Sequence, residues 1–577
     1  MSRKPRPTGP FHVVTTRRQG VHREYVAHLL RRSYREGGKV KKETVANLSH
    51  LPDEVIELIR RALRGESFLA AEEEFSVERS LPAGHVDAVL AVARTVEFWR
   101  LLDRESSRER QLAIALVCQR VLHPASKLAT SRLLSQSTLG AELGVEDADE
   151  DELYAAMDWL LERQQRIEDR LARRHLRDGT LVLYDVSSSY FEGRCCALGQ
   201  LGYSRDGRRG TTQIIYGLMC APDGCPVAVQ VFEGSLHDDK TLPDQIAKLR
   251  VRFGLSHVIV VSDRGMVTKA NLELLTQTDG AAWITALKAP QVHKLARTGA
   301  LQLSLFDEQN LAEISSEDYP GERLVVCRNP LVAAERARKR EDLLQATERA
   351  LSDIKARVEG GTLHGAAPIG LAAGASWNRW KVKKHFQVQI TDSTFTFERK
   401  HEQIAAEAAL DGIYVLRTSV SAETFPTAEV VRSYKQLKEV ERAFRTLKGP
   451  LELRPIHHHL EDRVRAHVFL CMLAYYLTWH LRQALKPLLF DDEHPTPNSD
   501  PVAKATRSTS AKKKITTKRT TDGHPCHSFP TLLDQLATQT RNTIRLASTN
   551  HTFDQLTKPT PIQARAKQLI HTYTANT

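Results

Sequence analysis

The sequence predicts an α/β protein. Its mixed sheet is built in the order β-β-β-α-β-α-β and then a helix, interrupted by a mixed α+β insertion and preceded by a small N-terminal unit and a helical bundle. Three observations carry this. At Gly179 the texture changes from helical periodicity to the apolar runs TLVLYDVSSSYF, QIIYGLMC and PVAVQVFEG, the last two joined by the turn APDGC. HVIVVSDRG (257–265) and AAWITALK follow, each after a helical stretch, as alternating strands and helices do. Finally, YKQLKEVERAFRTLK (434–448) reads as one helix with two faces. Leu437, Val440, Phe444 and Leu447 fall on an apolar stripe, while Tyr434, Lys438, Glu441, Arg445 and Lys448 fall on the stripe beside it.

The chain divides in order. Residues 1–80 form a basic N-terminal unit, β-rich or mixed, with a helix near 52–64. Residues 81–178 form a helical domain: Val86, Val89, Leu90, Ala93 and Val96 keep an i, i+3, i+4 rhythm, and the acidic run 146–152 leads into a helix burying Leu153, Met157 and Leu160. The α/β part occupies 179–289 and resumes at 426–486. Between them, 290–425 carries an Arg-, Lys- and Glu-rich helix (331–358), a Gly/Ala-rich loop (360–376) and strand-like HFQVQI, FTFERK and IYVLRTS. Residues 487–577 form a basic tail with few core-forming residues, expected to be largely disordered, with an amphipathic stretch (531–547) able to dock back.

At 577 residues there is room for three or four domains. The net charge of +12 favours a polyanionic partner, and its distribution is uneven. Residues 1–42 hold 12 Lys and Arg against Glu24 and Glu36; residues 501–577 hold 12 against Asp522, Asp534 and Asp554. Basic ends around a balanced middle suit a grip on a nucleic-acid backbone. The eight cysteines show no CxxC pair, so reduced thiols are expected rather than zinc or disulfides. The first ten residues lack the apolar stretch of a secretory signal, and the longest apolar run, Val468 to Leu477, is too short to span a bilayer. The expectation is a cytoplasmic, nucleoid-associated protein without a membrane partner.

Two aspartates stand out because each follows an otherwise apolar strand: Asp185 after LVLY and Asp263 after VIVVS. A charge at the end of a buried strand is costly without a partner or a metal. A β-β-β-α-β order sets the first and fourth strands side by side, which brings the two acids together. Glu441 is the natural third member. Glu439, the rival, lies off both faces of its helix and reads as solvated. Three carboxylates supply hard oxygen ligands suited to Mg²⁺ or Mn²⁺, and two such ions could promote phosphodiester cleavage.

These blocks resemble a known family. LYDVSSSYFEG around Asp185, YSRDGRRGTTQIIYGLM, VFEGSLHDDKTL, VVSDRGMVTKANL around Asp263, SYKQLKEVERAFRTLK around Glu441 and RPIHHHLEDRVRAHVFLCMLAYYL are together similar to the DDE transposases of bacterial insertion sequences, in the IS-four superfamily and closest to its IS-sixteen-thirty-four group. The resemblance implies an RNase H-like catalytic domain with an insertion before the glutamate, which the 178-residue gap from Asp263 to Glu441 fits. It implies Asp185, Asp263 and Glu441 as catalytic and metal-binding residues with two ions, double-stranded DNA (transposon ends and target) as partner, and a homodimer in the DNA complex. The superfamily signature of Tyr, Arg, Glu and Lys is met at Tyr434, Glu441 and Lys448; Leu437 stands where the Arg would be, leaving Lys438 or Arg445 to substitute.

Further DNA-binding candidates are Arg264, which either holds a phosphate or pairs with Asp263, and His237, beside Asp238. Arg205, Arg208 and Arg209 form either a basic hairpin or a solvated turn. His457, His458 and His459 are adjacent, so they cannot all face one ion, and a basic loop near DNA suits them better. His467 reads as a core or supporting residue. Trp283, Trp377 and Trp380 read as packing residues, with stacking on an extruded base as the alternative. Two other functions fit the same residues: a metal-dependent nuclease without strand transfer, and a non-catalytic DNA-binding derivative.

Overall fold

The computed structural model describes residues 9–20, 24–66, 74–306, 309–495 and 498–576. The first basic residues, Arg3, Lys4 and Arg6, lie outside the described residues, as does Arg23. The chain forms two compact units.

The smaller unit comprises residues 1–80 and 541–556. An antiparallel meander, β1 (Phe11–Gln19), β2 (Glu24–Glu36) and β3 (Lys39–Asn47), is followed by the helix Asp53–Leu63. A second sheet has the order β16-β15-β4, with β4 at Phe75–Pro82, β15 at Thr540–Leu546 and β16 at Thr552–Leu556. The C-terminal tail thus returns to the N-terminal unit as a strand pair, and Arg545 meets Glu78 at 2.9 Å.

The larger unit holds an eight-stranded mixed sheet. Its strands are β5 (Thr180–Tyr190), β6 (Gln213–Cys220), β7 (Pro226–Glu233), β8 (Val258–Val261), β9 (Ala281–Ala286), β10 (Leu311–Ile314), β11 (Arg323–Arg328) and β14 (Ile413–Thr418). They are ordered β10-β11-β14-β9-β8-β5-β6-β7, with β8 parallel to both β5 and β9 and the remaining pairs antiparallel. Every residue of β6 and of β8 is buried, which explains why both read as unbroken apolar runs. The bundle helices and the long helix Glu461–Leu485 share one core with the sheet; that helix is buried without a break from Ala466 to Thr478. Among the described residues no helix is long and apolar enough to cross a membrane.

Four expectations change. The stretch 434–448 is not one helix. Thr427–Lys435 ends at Gln436, and a second helix, Leu437–Lys448, begins there through the i+3 bond from Glu439 N–H to the Gln436 carbonyl. The first helix packs on β9, β11 and β14 and the second on β5 and β6, so the chain bends to seat both. The Gly/Ala-rich segment is no loop: Ala366–Trp380 is a helix burying Ile369, Ala373 and Trp377. The region expected to be wholly inserted divides. β10, β11 and β14 join the main sheet, while a separate core around Leu344, Leu351, Ile369, Phe386 and Phe395 unites the long helix Pro330–Glu359 with the hairpin β12 (Phe386–Ile390) and β13 (Phe395–Arg399).

The tail is ordered too, where disorder was expected. Lys435 Nζ donates to the carbonyls of Val502 and Ala503 at 2.8 Å. Ser508 caps the helix Thr509–Thr517, and Lys514 is buried against Glu493 at 2.5 Å and two carbonyls. The helices Phe529–Ala537 and Pro561–Asn576 add Leu532, Leu533, Ile562 and Ile570 to the main core. The tail is poor in apolar residues but satisfies its polar groups inside the fold.

One glycine is required by packing. A Cβ on Gly217 in β6 would stand 2.7 Å from the fully buried Tyr184 ring on β5. Gly217→Ala should therefore cost about 1–3 kcal/mol in urea unfolding. Gly370→Ala, whose Cβ would meet only Ile390 at 3.9 Å inside a helix, should raise stability by about 0.4–1 kcal/mol.

Candidate active site

The parallel pairing of β5 and β8 builds the site. Its register runs from Thr180 opposite Val258 to Leu183 opposite Val261. Two residues further along each chain come Asp185, still within β5, and Asp263, just beyond the end of β8. Equal offsets from one register put the two acids on the same edge of the sheet, with the same side-chain sense. The third acid arrives on the helix Leu437–Lys448. Val440, Ala443, Phe444 and Leu447 are buried beneath it, and the Phe444 ring meets the Tyr216 ring of β6 edge-on at 5.7 Å. That seam turns Glu441 to the exposed side, over the end of β5.

Asp185, Asp263 and Glu441 line one cavity of about 630 Å³. All the other charged groups around it except Arg445 sort into pairs. Asp206 is almost fully buried and accepts from Lys448 Nζ at 2.9 Å, from Arg454 and from the Tyr190 N–H at 3.1 Å. Asp238 pairs with Arg205, whose backbone N–H donates to Ser188 Oγ at 3.0 Å. Asp185, Asp263 and Glu441 have no cation within ion-pair distance among the described residues. The Asp185 carboxyl is pushed up to about 7, by burial first and then by Asp263 and Glu441. Three mutually repelling carboxylates left unpaired are a donor set that fits a divalent hard cation.

The remaining expected residues take varied places. Tyr434 ends the preceding helix, half-buried; burial and then the Asp263 charge hold its phenol protonated. Arg445 is exposed, lines the cavity and has no carboxylate partner among the described residues. Lys438 does not line it, and its ammonium lies 3.8 Å from Glu439. Lys448 lines it but is engaged with Asp206, which occupies the charge expected to meet a phosphate. Arg264 and His237 are exposed near the rim without lining the cavity; Asp238 lines it instead. Glu439 is not solvated, since it packs against the Gly224 turn and reaches Arg442 at 3.8 Å. Leu437 is half-buried against the core. Trp283 and Trp377 are buried, and Trp380 packs on the core of the inserted part.

Sequence reasoning missed Asp206, whose loop, SRDGRRG, reads as solvent-facing charge. The signal was an acid flanked by arginines between two buried strands. Arg208, in the same loop, lies over the Tyr190 ring at 3.8 Å. A second group was also missed: His175, Cys225 and His480 have donor atoms all within 4.8 Å of one another. His175 Nε2 lies 3.1 Å from the Tyr476 hydroxyl and 3.8 Å from Cys225 Sγ. Arg174 donates to the same hydroxyl at 3.2 Å, so a cation of the chain already sits beside this group. Its members are far apart in sequence and offer no spacing motif.

The chain matches two family models. One, described as "Transposase DDE domain", matches residues 192–477; the other, "IS1634 family transposase, N-terminal domain", matches 11–75. Asp263 and Glu441 fall inside the first match, and Asp185 lies just before it. No curated protein matches the chain. Among solved structures it is similar to the piggyBac transposase of a cryo-EM synaptic complex with hairpin DNA, at 10% identity over 78% of this chain and 77% of that one, with a TM-score of 0.34.

Two predictions follow from the charges. The folded Asp185 carboxyl titrates above its ordinary value of 3.8, so its ionisation costs stability progressively as pH rises from about 4 to about 7. Asp185→Asn should remove that loss: without divalent ions at pH 7.5 it should melt ~2 °C or more above the wild type, the gap closing by pH 4. Millimolar Mg²⁺ should raise the wild-type melting temperature and leave Asp185→Asn unchanged. Asp206→Ala leaves Lys448 and Arg454 facing each other without an anion. It should cost about 3 kcal/mol in chemical unfolding, towards the low end for a broken buried pair because Arg454 is about one-third exposed.

Proposed function

We propose that this chain, which belongs to the DDE transposases of the IS1634 group, binds the terminal inverted repeats of an insertion sequence, cuts phosphodiester bonds at its ends and joins the freed 3′-hydroxyls to target DNA. The observation that carries the reading is the cavity in which Asp185, Asp263 and Glu441 converge from three separate segments with no cation among the described residues paired to them. The strand order β7-β6-β5-β8-β9, with a helix crossing the end of β5, supports an RNase H-like catalytic domain.

In this reading Asp185, Asp263 and Glu441 hold two divalent ions, Mg²⁺ or Mn²⁺. When bound, such ions lower the pKa of an attacking water or hydroxyl and stabilise the leaving oxygen. The chain's own residues do the rest. Arg445, exposed at the cavity and free of a carboxylate, attracts the phosphate and takes over from the arginine that Leu437 replaces. Tyr434, held protonated, donates a hydrogen bond toward a phosphate oxygen. Lys448 acts at one remove: through Asp206 it anchors the 201–212 loop and Arg454 at the cavity wall. The basic meander of the smaller unit, matched to the family's N-terminal domain, contacts the DNA ends. Two ends require two catalytic sites, hence a homodimer on DNA.

Asp185→Asn, Asp263→Asn and Glu441→Gln should each reduce Mg²⁺-dependent cleavage of a duplex carrying the element's terminal repeat by at least ~10³-fold. Each should bind that duplex as the wild type does. A strand-transfer assay with pre-cut ends and a target plasmid should yield joined product with the wild type alone. Cleavage without any joining would instead make the chain a metal-dependent nuclease.

A further inference from the structure

The three consecutive histidines and two buried cations of the helical bundle meet in a second cavity, of about 520 Å³, which shares Arg454 with the carboxylate cavity. Arg120 comes from the bundle helix Arg108–Leu122 and Lys127 from the next helix, Lys127–Leu133. Their side chains are unusual. Lys127 is 4% exposed and Arg120 7% exposed, yet neither has a carboxylate within 4.0 Å among the described residues. Arg120 donates to the Ala125 carbonyl at 3.3 Å, and the Lys127 ammonium makes no hydrogen bond to the described residues. The other arginines at the cavity are already matched: Arg463 holds Asp158 at 3.2 Å and lies over Tyr154, and Arg454 holds Asp206. Glu452 is the one carboxylate among the described lining residues, and it pairs with neither buried cation.

Two like charges buried in one cavity destabilise the free protein unless an anion compensates them. His458 does not add to the imbalance. Burial first, and then Lys127 and Arg120, push the His458 imidazole down to about 3, so it stays neutral, with its ring tilted at 52° to that of His467 and the centroids 5.1 Å apart. His459 Nδ1 is occupied by the Arg194 backbone carbonyl at 2.8 Å. Lys127 is itself pushed down to about 7, by burial and then by Arg120. The wall therefore carries two buried basic side chains with no carboxylate partner among the described residues, and the Lys127 ammonium has no protein acceptor there.

We propose that this cavity is a phosphate-binding site, and that its natural occupant is a backbone phosphate of the DNA strand whose reacting phosphodiester lies in the carboxylate cavity on the other side of Arg454. The DNA identity of the occupant rests on the transposase reading; the affinity for a phosphate group does not. A single phosphodiester supplies oxygen acceptors for Lys127 and Arg120 together, and the shared Arg454 makes the two cavities neighbours along one strand. Arg120 and Lys127 would then set where the strand is held relative to the three acids, a positioning role rather than a catalytic one.

The test uses the full chain as wild type, Lys127→Met, Lys127→Arg and Asp185→Asn. Thermal melts are compared in sodium phosphate and in sodium chloride at equal ionic strength. Phosphate should raise the melting temperature of the wild type, Lys127→Arg and Asp185→Asn, and not that of Lys127→Met. In chloride, Lys127→Met should melt no lower than the wild type, because an unpaired buried charge has gone. Its binding to a fluorescent duplex should weaken several-fold, with the slope of log K against log salt reduced by about 1. A phosphate shift that persists in Lys127→Met, or an unchanged salt slope, would overturn the proposal, as would the absence of any shift in the wild type. A wild type that fails to bind or cut DNA yet keeps the Lys127-dependent shift would overturn the transposase reading and leave the phosphate site standing.

Discussion

The short parallel pairing between β5 and β8 is the constraint on which the rest of the site depends. Four residue pairs set its register, and that register alone decides that Asp185 and Asp263 emerge at the same edge of the sheet. A slip of one residue would turn one of the acids to the opposite face. The pairing is protected by burial: all four residues of β8 are in the core, and β9 covers its other edge, again in parallel. The helix Leu437–Lys448 is then oriented by the seam of Val440, Ala443, Phe444 and Leu447 rather than by any contact of Glu441 itself. The third acid is presented by packing and is held by no ion pair or hydrogen bond among the described residues.

Around this frame the charges are arranged by exclusion. Asp206 and Asp238 take up Lys448, Arg454 and Arg205, leaving three acids without a paired cation among the described residues in one cavity. The neighbouring cavity shows the opposite imbalance, with Arg120 and Lys127 unpaired. Both residual charges raise the free energy of the free protein, and each is of the sign that its proposed ligand would neutralise. A surface of mixed charge would read as unremarkable in net charge; the informative quantity is what remains after every internal pair is removed.

Much of this was legible in the sequence where periodicity and burial act together. β5 and β8 announce themselves as apolar runs, and a single acid after each is conspicuous because burial makes it costly. The choice of Glu441 over Glu439 followed from helical geometry, although Glu439 is packed against the Gly224 turn rather than solvated. Properties set by distant partners were not legible. Asp206 looks like one charge among several in a loop until Lys448 and Arg454, more than 240 residues away, close on it. The tail looked disordered because its buried Lys514 and its strand pairing with β4 are satisfied by residues far along the chain. The break at Gln436 escaped notice because the pattern on each side is helical and only the two docking surfaces differ.

The central claim is that three separate segments hold divalent ions at one place. Iron-directed cleavage tests it most directly: Fe²⁺ replaces Mg²⁺, the bound ion reduces added hydrogen peroxide to hydroxide and a hydroxyl radical, ascorbate returns the Fe³⁺ to Fe²⁺, and the cut positions in the full chain are read by mass spectrometry. The account predicts cuts clustered around residues 185, 263 and 441, suppressed by excess Mg²⁺ and absent in Asp185→Asn. Cuts confined to the neighbourhood of His175, Cys225 and His480, or an unaltered pattern in Asp185→Asn, would contradict it.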